Sequence, residues 1–136
     1  MRSIIVDAGP LIALFDVRDS YHGIVKLRLQ QLPCKLITTW PVITEVMYFL
    51  NASVTAQTKL IEWIEAGGLV VSSMVEFNIR QVKELINKYA DVPMDFADAT
   101  IILLAEESGV REILTIDSDF AIYKIKGKKY FSFVEL

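Results

Sequence analysis

The chain has 136 residues, 53% of them hydrophobic, and a formal net charge of −3. That length and composition suit one domain over residues 1–136 with a sizeable core. The acidic balance argues against a tight, sequence-independent nucleic-acid binder, which would be basic, while leaving a nuclease open because local charge outweighs the sum.

The opening "MRSIIVDAGPLIALF" has a charge followed by apolar residues, as a signal peptide does, but Asp7 interrupts the run. "SIIV" (3–6) reads instead as a buried strand, and "GPLIALF" (9–15) begins a short helix with Pro10 in its first turn. "SYHGIVKLRLQQL" (20–32) spaces Ile24, Leu27 and Leu32 at helical intervals, and "KLITT" (35–39) is a second strand. Pro41 opens a helix over "PVITEVMYFLN", and "TAQTKLIEWIEAGG" (55–68) is an amphipathic helix stopped by glycines. "LVVSS" (69–73) is a third strand. "NIRQVKELINKYA" (78–90) puts Ile79, Val82, Leu85, Ile86 and Tyr89 on one helical face. The segment "VPMDFADATIILLAEESG" (92–109) is a helix ended by Gly109, followed by strands at "EILTI" (112–116) and "KYFSFV" (129–134). Alternation of strands and helices implies an α/β/α sandwich around a parallel sheet of about five strands, with right-handed crossovers. No apolar stretch is long enough to span a membrane, so a cytoplasmic protein is expected.

The acids are the informative residues. Asp95 precedes a helix and suits its N-cap; Asp98, three residues on, completes an Asp-x-x-Asp that resembles a capping box. Asp98 also leads a stripe containing Ile101, Ile102 and Ala105, with Thr100 and Glu107 expected on the opposite side. A buried, unpaired carboxylate is costly, and a cation or basic partner would relieve it. Glu45 raises the same question: its helical neighbours are Val42, Tyr48 and Phe49, and it is the one charge between Lys35 and Lys59. Asp7 ends the first strand, and Asp117 ends a late one, with Asp119 two residues on. Strand ends are where doubly wound sheets bind ligands, although aspartate is equally at home in turns. If the fold gathers four such acids, a divalent ion is the simplest neutraliser, and phosphodiester hydrolysis is a suitable chemistry. One cysteine, Cys34, excludes an internal disulfide and a cysteine-based zinc site, and one histidine, His22, excludes a histidine cluster. Oxygen ligands then favour magnesium or manganese.

Taken in order, "IIVDAGPLIALF", "TEV", "PMDFADATIILLAEESG" and "ILTIDSDF" resemble the PIN-domain nucleases typified by VapC-type toxins. The resemblance implies an acidic pocket holding Mg²⁺ or Mn²⁺ and cleavage of RNA. Motif by motif, it assigns catalysis to Asp7, Glu45, Asp98 and Asp117. Asp7, Asp98 and Asp117 would be metal ligands, and Glu45 would orient or deprotonate the attacking water. Asp119 stands as a substitute or helper for Asp117, and Asp95 as a secondary acid. Thr115 either bonds within the pocket or is a strand-end threonine. The family also implies a homodimer and a small antitoxin that covers the pocket. Met47, Tyr48, Phe49 and Leu50 with Trp63 offer either a dimer face or core. The lysines at 124, 126, 128 and 129, and Arg18, Lys26 and Arg28, offer either phosphate contacts or solvated faces.

Other acid-pocket folds fit less well. A phosphorelay receiver wants paired acids after its first strand, and a HAD-type phosphatase wants Asp-x-Asp-x-Thr; "DAGPL" has neither. The alternative of another class is a non-catalytic acidic-pocket binding or regulatory module whose acids cap helices.

Overall fold

The structure, a computed structural model, describes residues 2–73 and 78–136. Its elements run β1 (Arg2–Val6), α1 (Ala8–Phe15), α2 (His22–Gln31), β2 (Cys34–Thr39), α3 (Trp40–Phe49), α4 (Val54–Glu65) and β3 (Leu69–Ser72). They continue with α5 (Ile79–Lys88), α6 (Phe96–Ser108), β4 (Glu112–Leu114), a 3₁₀ turn (Ser118–Ala121), β5 (Lys124–Ile125), β6 (Lys129–Tyr130) and β7 (Ser132–Phe133). Among the described residues, no helix is long and apolar enough to cross a membrane.

Five strands form one parallel sheet in the order β3-β2-β1-β4-β7. Successive side chains on a strand point to opposite faces. Ile4, Ile5 and Val6 of β1 are all fully buried, so the centre of the sheet is covered on both sides. The fold is the expected α/β/α sandwich. From β1 the chain builds outward to β2 and β3, then returns to lay β4 on the other side of β1. The C-terminal ends of β1 and β4 therefore lie at the point where the winding reverses, the usual position of a ligand crevice in such sheets.

Helix α6 packs against α3, α5, β2 and β5. Every residue from Ala97 to Ala105 is buried. The expected polar side of this helix is thus absent along its first turns. Thr100 is fully buried and shares a 2.7 Å hydroxyl contact with Thr39 at the end of β2, while Glu107 is exposed.

Three helical or strand expectations need correction. In α2, Ile24 and Leu27 are exposed and Val25 is the buried residue, because α1 is the element that α2 chiefly packs against. His22 Nδ1 donates to the Ala13 carbonyl at 2.8 Å and pins its start. In α5, Val82 and Tyr89 are buried but Ile79 is exposed at the first turn. The single strand expected at 129–134 is two strands. Lys126 and Gly127 both adopt left-handed backbone, which turns the chain tightly and pairs β6 antiparallel with β5. β7 then joins the main sheet beside β4.

Candidate metal centre

Asp7 follows the last residue of β1. Its backbone N–H still bonds to the Leu114 carbonyl at 3.1 Å, so the position is tied to β4 before α1 begins. The side chain is buried. Thr115, just past β4, donates its hydroxyl to Asp7 Oδ2 at 2.9 Å and accepts the Asp117 backbone N–H at 3.0 Å. One threonine thus links the two strand-end acids, so the pocket hydrogen bond is present. Asp117 Oδ1 in turn accepts the Asp119 N–H at 2.9 Å and opens the 3₁₀ turn.

Asp98 reaches the same place from α6. The N-terminus of that helix carries a reciprocal capping box: Asp95 Oδ1 accepts from Asp98 N at 2.8 Å, and Asp98 Oδ2 accepts from Asp95 N at 3.3 Å. Asp95 is exposed and Asp98 is buried. The cap pair therefore divides its acids between solvent and pocket.

Asp7, Asp98 and Asp117 each offer a carboxylate oxygen, and these oxygens lie within 4.8 Å of one another. The ion pairs among the described residues, Arg2–Glu112 and Arg18–Asp16, involve none of the three. The electrostatic consequence is large. Burial pushes Asp98 up to about 8, and the negative charges of Asp95 and Asp7 add to it. Burial likewise pushes Asp7 to about 6, against hydrogen bonds from the Ala8 backbone and Thr115. Three carboxylate oxygens so close, two of the acids buried and none paired to a cationic side chain among the described residues, fit a hard divalent cation. Cysteine and histidine are absent from the cluster, so the donor set does not suit zinc.

Glu45, on α3, is half-buried and stands outside that trio. It nevertheless faces the acids: its carboxyl is raised by burial first, then by Asp95, Asp7 and Asp117. Asp119 is also outside the trio and serves Asp117 through its backbone N–H. Tyr123 is the residue that sequence reasoning missed. It is fully buried, and its hydroxyl donates to Asp98 Oδ2 at 3.4 Å. Nothing in a tyrosine five residues beyond Ser118 marks it as a neighbour of an acid in another element.

An open groove of about 730 Å³ adjoins the acids, lined by Trp40, Tyr48, Phe49 and Phe96 with Glu45 and Asp95. Tyr48 and Phe49 are largely exposed there, whereas Leu50 is core and Met47 and Trp63 pack against the core's edge.

The family model for the PIN domain matches residues 4–126. Ribonuclease VapC26 of Mycobacterium tuberculosis is 26% identical over 116 residues, spanning 84% of this chain and 86% of that protein. The crystal structure of Mycobacterium tuberculosis VapC20, a sarcin–ricin-loop-cleaving toxin, superposes with a TM-score of 0.76 at 22% identity. That likeness, one of fold, covers 88% of this chain and 93% of the other.

Proposed function

The chain belongs to the PIN domain family, and on that premise we propose that it is a Mg²⁺- or Mn²⁺-dependent endoribonuclease, the toxin of a type II toxin–antitoxin pair. The carrying observation is the meeting of Asp7, Asp98 and Asp117 within 4.8 Å, without a paired cationic side chain among the described residues. The ribonuclease that resembles this chain over most of its length supports RNA as the substrate class.

Asp7, Asp98 and Asp117 would hold the cation, which supplies Lewis-acid chemistry: an acidified water and relief of phosphate charge. The chain's own residues do the rest. Thr115 keeps Asp7 and Asp117 at a set separation through its two hydrogen bonds. Glu45 stands at the rim with a raised proton affinity, suited to accept the proton of the attacking water. Asp95 contributes negative charge and a cap, and Asp119 steadies Asp117. Lys126, Lys128 and Lys129 stand exposed on the β5–β6 hairpin, available to RNA phosphates. Arg28 is engaged with the Glu135 carbonyl and Arg18 with Asp16, so they contribute less.

The aromatic groove beside Glu45 and Asp95 supports the protein partners of the reading. Four exposed aromatic residues in one depression, with no Lys or Arg in the lining, suit a protein surface. An antitoxin seated there would lie against the acids, and a second copy would extend the face through Tyr48 and Phe49.

The test is cleavage of RNA by the purified chain with and without Mg²⁺ or Mn²⁺. Ion-dependent internal cleavage is expected, falling to background in Asp7→Asn and Asp98→Asn. Variants that cut as fast as the unsubstituted chain would end the assignment. Ion binding without cleavage of any RNA would instead favour the non-catalytic acidic-pocket module.

A further inference from the structure

We propose that Tyr123 is a positioning residue of the metal centre: its buried hydroxyl holds Asp98 Oδ2, so that Asp98 presents its other oxygen to the cation. The inference rests on the reading of Asp7, Asp98 and Asp117 as metal ligands and extends it to a residue outside the acidic motifs.

Asp98 Oδ2 is occupied by the chain. It accepts from Asp95 N at 3.3 Å and from the Tyr123 hydroxyl at 3.4 Å. Both donors approach the same oxygen, and Oδ1 has no protein hydrogen bond among the described residues. Asp7 and Asp117 follow the same plan, with Thr115 on Asp7 Oδ2 and the Asp119 N–H on Asp117 Oδ1. Each acid thus has an oxygen anchored by the chain. At 3.4 Å the tyrosine contact is longer than the usual ~2.7–2.8 Å between hydroxyl oxygens.

The surroundings make the hydroxyl conspicuous. Tyr123 is fully buried, and its ring meets Tyr89 and Phe120 edge-on, with centroids 5.0 and 5.2 Å away. Phe120 packs the same way on Phe131 at 5.5 Å, a contact that needs no hydroxyl. A phenol here must desolvate a hydroxyl, a cost that packing does not offset. Among the described residues, the hydroxyl's hydrogen bond goes to Asp98. Tyr89 and Phe120 also stiffen it, because each edge-on contact restricts rotation of the phenol away from the acid. In metal sites, loss of a group that orients a ligand typically weakens metal affinity about 10–100-fold.

Tyr123→Phe keeps the ring and removes the hydroxyl. Tyr89→Phe is the packing control, since the Tyr89 hydroxyl accepts the Lys124 backbone N–H at 3.0 Å. Calorimetric titration of the full chain with Mn²⁺ at one pH should show a dissociation constant about 10–100-fold weaker for Tyr123→Phe. Tyr89→Phe should bind as the unsubstituted chain does, with both variants folded by circular dichroism. Equal affinity in Tyr123→Phe overturns the inference, as does an equal loss in both variants. In the unsubstituted chain, NMR titration with Mg²⁺ should move the Tyr123 ring signals more than those of Tyr89; unmoved Tyr123 signals overturn it independently of any variant. Asp7→Asn separates this proposal from its premise. If Asp7→Asn loses Mn²⁺ and Tyr123→Phe does not, the role of Tyr123 alone falls. If Asp7→Asn also binds normally, the metal centre itself falls.

Discussion

Residue by residue, the pocket divides labour between acids that are tethered and one that is free. Asp7, Asp98 and Asp117 each accept a hydrogen bond from the chain on one carboxylate oxygen. Such tethering suits a ligand, whose lone pair must point one way. No hydrogen bond of that kind holds Glu45 among the described residues, and it stands apart from the trio. A half-buried carboxyl whose proton affinity is raised by burial and by nearby acids suits proton transfer. Glu45→Gln is therefore expected to lower kcat on RNA about 10²–10⁴-fold, the usual contribution of a general base. Mn²⁺ affinity by calorimetry should change little in the same variant. A loss of affinity as severe as that of Asp7→Asn would make Glu45 a ligand instead of a base.

At the level of elements, α6 carries two duties at one end. Its capping box satisfies backbone N–H groups that the first turn leaves open, and one member of that box turns into the pocket. The other end closes on Gly109 at φ 74°, left-handed backbone that glycine adopts without strain. The two duties separate by substitution. Asp95→Ala removes both the cap and a charge and should cost about 1 kcal/mol in urea unfolding. Asp95→Ser keeps a capping oxygen and should recover most of that stability while still lacking the charge. Both variants should retain far more nuclease activity than Asp98→Asn. Activity abolished alike in the Ala and Ser variants would make Asp95 a member of the centre.

For the molecule as a whole, buried acids with no paired cationic side chain among the described residues are a liability of the fold. Unfolded, Asp7 and Asp98 titrate near the ordinary ~3.9. Folded, burial holds them at about 6 and about 8. Between those limits the folded chain binds more protons than the unfolded one, so raising pH removes stability. Without divalent ions, the melting temperature should fall as pH rises from about 4 to about 8, the range bounded by the unfolded value and the Asp98 value. Saturating Mg²⁺ or Mn²⁺ should restore it most at the upper end, where the ligands are deprotonated; at 100 times the dissociation constant the gain is about 2.7 kcal/mol. Asp98→Asn should flatten the slope above pH 6. A melting temperature that rises with pH without added ion would contradict the burial assigned to both carboxyls.

Local pattern carried much of this protein. Apolar runs of strand length between helical periodicities spell a parallel sandwich, since each buried face needs a partner layer. The Asp-x-x-Asp at 95–98 announces a helix start because capping is a short-range matter. Acids at strand ends were visible for the same reason. Other features depended on which surfaces meet. Ile24, Leu27 and Ile79 look like core by spacing yet are exposed, because periodicity reports a helix's stripe and not the breadth of its partner. The hairpin at 124–130 hides in a lysine-rich stretch because its turn uses Lys126 in left-handed backbone, which lysine rarely adopts. Only the return of β4 to the far side of β1 brings Thr115 and Asp117 to Asp7 across more than a hundred residues of chain, and only the burial of α6 sets Tyr123 beside Asp98. Residue type and spacing determine what each segment can become; long-range packing decides which oxygens face one another, because that distance is a property of the whole sheet and not of any stretch within it.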